Sequence, residues 1–380
     1  KKKLMDAKKL LAGPILAPMV RAGFTSMRLL CADYGASCVF TDVVIASNIL
    51  QSNIFESSDS ILFVRHGNRV LRLMKRDIGK TIVQLAGTNI EVFLKAAEKL
   101  FPYCAGVDIN CGCTKDWTHA CMGAGLLADT RLLLNLSSQL ADLCKLHQKS
   151  ASVKIRLLET PQETEKLLEQ LLETGLSFVT VHMRRASEDR ETHGARWEEF
   201  AGICQRIGRA ERLVANGDLA DLVAIKKFLG LFKGEKPGVM IARGAVRYPA
   251  VFQDINQHWA ELHGQQEKGE KLENKAKIDS TLEIIEKLFV YSNTENQEWK
   301  LVLKTDDQTA KDNEEYLASD FLNVYKYNEF KTGVMFMLQE QRKVQADMEL
   351  KEVKERIKQV ANIKTFEEFK QNVLESKGQE

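Results

Sequence analysis

Residues 152–184 read SVKIRLLETPQETEKLLEQLLETGLSFVTVHMR, and their pattern decides the fold. Ser152 to Ile155 is a short, largely β-branched run, which predicts a strand. Thr164 to Thr174 follows, with Leu167, Leu168, Leu171 and Leu172 at helical spacing, so one face of that helix is apolar. Phe178 to Val181 is a second strand-like run. Strand, amphipathic helix and strand make one βαβ unit, whose two strands run parallel.

The same alternation extends outward from residue 14 to about residue 245. It yields six more candidate strands: Ile15 to Ala17, Cys38 to Thr41, Thr81 to Leu85, Gly106 to Asn110, Arg212 to Ala215 and Gly238 to Ala242. Eight strands alternating with helices predict an α/β fold, a (β/α)8 TIM barrel, which needs ~250 residues. A doubly wound nucleotide fold would want GxGxxG after its first strand, where Pro18-Met19-Val20 stands instead. The stretch 44–80 is long enough to hold an inserted hairpin or helix. The barrel is assigned to residues 1–255. A charged insertion or linker is assigned to 256–315, rich in Lys, Glu, Gln and Asn. Residues 316–380 are read as a small helical domain with aromatic residues, ending in a long charged helix from Gln341 that could dock a protein partner.

Composition narrows the function classes little. The chain has 380 residues, 44% hydrophobic and 28% charged, with a net charge of +2, so no strong global field favours nucleic acid. No run approaches the ~18 apolar residues of a membrane span. The eight cysteines lie between Cys31 and Cys204 without paired metal-site spacing. A reduced compartment is therefore expected, cytoplasmic or mitochondrial, with no metal. The chain begins Lys1-Lys2-Lys3 and not with methionine, which leaves a removed leader open.

Barrel active sites lie at the C-terminal ends of the strands. Those ends carry Pro18-Met19, Gln84, the Asn110-to-Cys113 run, Lys154 with Arg156, His182, Asn216-Gly217-Asp218 and Ala242-Arg243-Gly244. A lone Lys or His in an apolar run is more often a satisfied core residue, but so many polar groups at matching strand ends converge on a site. Glycines after strands seven and eight let backbone N–H groups approach a phosphate, and Arg243 adds charge.

The ordered stretches LAPMVRAGFTSMRLLCADYGA, VQLAG, GVDINCGC with MGAGLL, VKIR, TVHMR, ANGD and VMIARGAVRYPAVF span residues 16–252. Together they resemble the dihydrouridine synthases, flavoenzymes that reduce a uridine of tRNA with FMN and NADPH. The details look closest to the eukaryotic branch acting on one D-loop uridine. FLNVYKYNEFKTGVMFMLQEQ, residues 321–341, resembles that family's helical tRNA-binding domain. The resemblance implies that Pro18, Met19, Gln84, Lys154 and His182 meet the flavin. It places Asn216, Gly217, Asp218, Ala242 and Arg243 around its ribityl chain and phosphate. It makes Cys113 the general acid and Asn110 and Arg184 substrate contacts.

Three departures stand out. Thr114 follows Cys113 where the family has proline, Ala120-Cys121 stand where it has paired glycines, and His182-Met183-Arg184 replaces HGR. Met183 would put bulk where glycine allows close backbone approach. Cys111 and Cys121 are rival thiols, read as packing residues. Two functions thus stay open: an active synthase, or a barrel of this type turned RNA-binding or scaffold subunit.

Overall fold

The computed structural model describes residues 7–20, 22–112, 123–188 and 192–264. The first strand, β1 (Ile15–Leu16), is preceded by α1 (Ala7–Leu10) and followed by α2 (Thr25–Asp33) and β2 (Cys38–Phe40). An insertion comes next: β3 (Val44–Ile45), α3 (Ala46–Leu50), β4 (Asn53–Glu56), β5 (Ser60–Arg65) and β6 (Asn68–Met74). Alternation resumes with β7 (Thr81–Ala86), α4 (Ile90–Leu100) and β8 (Gly106–Cys111). After these come α5 (Ala124–Ala128), α6 (Thr130–Leu146), β9 (Ser150–Leu157), α7 (Pro161–Glu173), β10 (Phe178–Arg185), α8 (Trp197–Ile207) and β11 (Leu213–Asn216). The described chain ends with α9 (Leu222–Leu229), β12 (Gly238–Ile241), α10 (Arg243–Arg247), α11 (Val251–Asn256) and α12 (Trp259–Leu262).

Every neighbour in the ring pairs in parallel, in the order β1, β2, β7, β8, β9, β10, β11, β12. Val39 opposite Thr81 and Ile15 opposite Met240 close it, so the described residues form an eight-stranded barrel. Its staves are the eight segments the sequence marks out, with small shifts at their ends; the seventh starts at Leu213, not Arg212. The insertion holds both elements its length allowed, a short helix and an antiparallel sheet ordered β4-β5-β6.

Alternation along each strand divides two cores. Outward residues such as Val107, Ile109, Val153 and Val181 pack under the helices. Leu167, Leu168, Leu171 and Leu172 of α7 are all buried there, each contributing about 1.5–3 kcal/mol. Inward residues including Ile15, Phe40, Ile82, Phe178, Val214 and Met240 fill the barrel's lower half. Above them the inward positions turn polar: Gln84, Asp108, Asn110, Ser152, Thr180 and Asn216 are all buried. The apolar plug thus carries a polar floor on the side of the strand C-termini.

The charged insertion, the aromatic helical domain and the charged C-terminal helix assigned to residues 256–380 lie, beyond Gly264, outside the described residues. So do Cys113, Thr114, Ala120, Cys121 and Met122. No helix among the described residues is long and apolar enough to cross a membrane.

Candidate active site

A cavity of about 410 Å³ opens over the polar floor, within the ~300–1,000 Å³ of small-molecule sites. Of the twelve described residues to which the resemblance gives a role, ten line it or its rim. They are Pro18 and Met19 after β1, Lys154 on β9, His182 and Arg184 on β10, the Asn216-Gly217-Asp218 turn after β11, and Ala242 and Arg243 after β12. Arg156 and Arg247 join them. Gln84 and Asn110 do not line the cavity; they belong to the floor beneath it.

The floor is one chain of hydrogen bonds. Ser152 Oγ donates to Asp108 Oδ1 at 2.6 Å, and Gln84 Nε2 to Asp108 Oδ2 at 2.8 Å. Asn110 Nδ2 then donates to Gln84 Oε1 at 2.7 Å, which leaves Asn110 Oδ1 buried with no partner among the described residues. Burial pushes the Asp108 carboxyl up to about 6, against the pull of the Gln84 and Ser152 hydrogen bonds and of the Lys154 charge. Asp108, within the GVDINCGC motif, is a functional residue beyond those the sequence marks, and a buried carboxylate is costly unless several donors meet it.

The wall built by β10 and β11 is held by Asp218. Its Oδ2 accepts from Arg184 Nη2 and, at 2.8 Å, from Ala195 N; its Oδ1 accepts from Arg243 Nη2 at 3.1 Å. Burial raises this carboxyl, but the Arg184 and Ala195 hydrogen bonds and the two arginine charges outweigh that and hold it below the usual range. Arg184 is 2% exposed and also donates from Nε to His193 O at 2.6 Å. Its guanidinium is thus tied to the wall as well as lining the cavity.

Two backbone facts permit the turn. Gly217 has φ +124°, and a Cβ there would stand 3.2 Å from both His182 Cδ2 and Ala195 Cβ. Asp218 follows with φ +55°, a conformation a short polar residue tolerates. Trp197 Nε1 donates to Gly217 O at 3.1 Å, pinning the turn to α8.

His182 Nε2 lies 3.3 Å from Arg184 Nη1; a guanidinium only donates, so Nε2 accepts and the proton sits on Nδ1. Burial, then the charges of Lys154, Arg156, Arg184 and Arg243, hold this imidazole well below its ordinary pKa, and it is neutral at physiological pH. Met183 does not crowd the site. It is fully buried and its side chain packs in the outer core. Cys111 is likewise buried in that core, and burial pushes its thiol up.

The lining sets five cationic side chains, Lys154, Arg156, Arg184, Arg243 and Arg247, against one carboxylate, Asp218. Ala17, Pro18, Met19 and Met240 add apolar lining. A cavity with both apolar and cationic lining suits a ring carrying an anionic tail.

The family model described as Dihydrouridine synthase (Dus) matches residues 15–326. The chain belongs to the dihydrouridine synthase family. A tRNA-dihydrouridine(20) synthase [NAD(P)+] of Schizosaccharomyces pombe is 35% identical over 253 residues, 62% of this chain and 51% of that protein. The corresponding protein of Saccharomyces cerevisiae is 32% identical over 254 residues, 63% of this chain and 65% of that one. A human tRNA-dihydrouridine(20a/20b) synthase [NAD(P)+]-like protein is 28% identical over 239 residues, 63% of this chain and 70% of that one. This family member therefore spans about half the length of the first relative and just under two thirds of the second.

Proposed function

We propose that this dihydrouridine synthase family member holds FMN in the barrel mouth and, with NADPH as electron donor, reduces a uridine of tRNA to 5,6-dihydrouridine. One observation carries the proposal: five cations and a neutral histidine converge on an apolar-walled cavity at the strand C-termini. Bound there, FMN would supply the hydride chemistry that amino-acid side chains lack.

The protein's own groups divide the remaining work. Pro18 and Met19 offer the ring an apolar face, and Arg243, steered by Asp218, offers charge to the phosphate. Lys154 places a fixed positive charge beside the ring, where added electrons are stabilised. His182 contributes hydrogen bonds without a further charge, because its imidazole stays neutral. Asn110, held by Gln84 in the floor beneath the cavity, keeps a buried amide oxygen without a partner among the described residues.

Cys113, next after Gly112 at the end of β8, is the proposed acid. Its S–H proton passes to C5 of the uracil and leaves a thiolate. A thiol of ordinary pKa, about 8.5, is mostly protonated near neutrality and so suits that role. The target nucleotide must leave its stack to reach the barrel mouth.

Cys113→Ala decides the assignment. Flavin content and reduction by NADPH should stay as in the wild type, while dihydrouridine formation falls by about 10²–10⁴-fold. Wild-type protein that binds tRNA and FMN but forms no dihydrouridine would support the scaffold function instead.

A further inference from the structure

A second cavity, of about 540 Å³, lies where the inserted sheet meets the barrel. It opens beside the first: Val20 and Ala22 line the barrel mouth, while Gly23 and Phe24, next along the same turn, line this one. Its charge is lopsided. Arg28, Arg65, Arg69 and Arg72 face it against one carboxylate, Asp42.

Part of this set is structural. Arg28 Nη1 donates to Gly23 O at 2.5 Å and Nη2 to Arg72 O at 2.7 Å, clamping the β1–α2 turn to β6. Arg28 and Arg72 are only 5% and 4% exposed, so positive charge is fixed deep in the hollow. Arg65 and Arg69 are different, being half-buried at the β5–β6 end of the insertion. Arg65 Nη1 donates to Asn48 Oδ1 at 2.5 Å, while its Nε is buried and finds no acceptor among the described residues. The register between β5 and β6 shifts, with Phe63 opposite Leu71 and Val64 opposite Arg69, so Val70 is an extra residue. Positions three apart on a regular strand point to opposite faces; this bulge lets Arg69 and Arg72 serve one cavity. Exposed His66 and Asn68 complete the rim with groups that hydrogen-bond oxygen.

Four guanidinium groups against the one lining carboxylate, Asp42, leave the hollow net positive, a field that attracts an anion. Arginine forks match phosphate oxygens in pairs, and a polynucleotide carries a phosphate at every residue. We propose that this second cavity binds a backbone phosphate of the RNA whose target nucleotide enters the barrel mouth; the proposal rests on the RNA-substrate function above. The insertion between β2 and β7 is then a phosphate clamp that sets where the strand lies before one base turns into the barrel.

The test uses the full chain loaded with FMN and an unmodified tRNA transcript, with affinity measured across a salt series. Arg65→Gln/Arg69→Gln should weaken tRNA binding by about 10-fold and shallow the log–log salt dependence by about one to two. Flavin content and NADPH oxidation should be unchanged, and Arg65→Lys/Arg69→Lys should recover most of the loss. Asn68→Glu, which adds a negative charge at the rim without touching the arginines, should weaken tRNA in the same direction. Wild-type affinity and slope in the glutamine variant would overturn the proposal. So would a loss of NADPH affinity with tRNA binding intact, which would assign the cavity to the dinucleotide's phosphates. Failure of the wild type to bind any tRNA would bring down the RNA-substrate function, and the clamp with it.

Discussion

Asp108 shows what one residue does beneath the site. An ionised carboxylate only accepts, so Gln84 must turn its amide N–H₂ toward it and its carbonyl toward Asn110. The cost appears in its titration. The folded chain holds the Asp108 proton up to about 6, while an unfolded Asp releases it near 3.9. Between those values the folded state binds more protons, so this residue's contribution makes stability fall as pH rises from about 4 to about 6, by roughly 3 kcal/mol. Urea titrations across that window should show a steeper fall in the wild type than in Asp108→Asn; parallel curves would contradict the assignment. Gly217 makes a second residue-scale case. Gly217→Ala forces a Cβ into a φ of +124° and against His182, and should cost about 1–3 kcal/mol and loosen flavin. Lys154 and His182 were legible in the sequence because a polar side chain on an apolar strand demands a reason, and Arg243 because it follows the end of a strand beside a glycine. Asp108 is not marked by the sequence, because the partner that explains it, Gln84, is 24 positions away and meets it only once β7 and β8 pair.

At the scale of elements, periodicity located every stave and the apolar face of α7, because strand and helix repeats are local properties. Boundaries were less legible. The helix expected from Thr164 begins at Pro161, behind a capping box in which Thr160 Oγ1 accepts from Glu163 N and Glu163 Oε2 accepts from Thr160 N. Thr160→Ala should therefore lower stability by about 1 kcal/mol, read as a shift in the urea midpoint with unchanged slope. Met183 illustrates how an element resolves a doubt about a residue. The sequence places its bulk where glycine is usual. On β10 its neighbours His182 and Arg184 take the inward positions, and Met183 falls on the outer face. The insertion was legible only as a length. Its cationic hollow depends on Arg28 meeting the Arg72 carbonyl 44 positions on, and no local pattern foretells that.

For the whole molecule, the barrel's closing helices run past the expected boundary at 255. Phe252, Ile255 and Leu262 are buried, Asn256 Nδ2 donates to Gly35 O at 2.8 Å, and Lys236 Nζ donates to Leu262 O at 2.6 Å. A chain ending at Gly264 should thus keep its flavin, and lose most tRNA affinity if residues 316–380 bind RNA as their sequence suggests. Unchanged binding would leave RNA recognition to the barrel and its insertion. The proposed function requires that the cationic barrel mouth hold a flavin that NADPH can reduce and tRNA can reoxidise. The visible absorption spectrum of the purified chain without oxygen tests it most directly. Oxidised-flavin bands should be present, bleach on adding NADPH and return when unmodified tRNA follows, and Arg243→Ala should weaken retention of the flavin. Colourless protein that takes up no added FMN would contradict it.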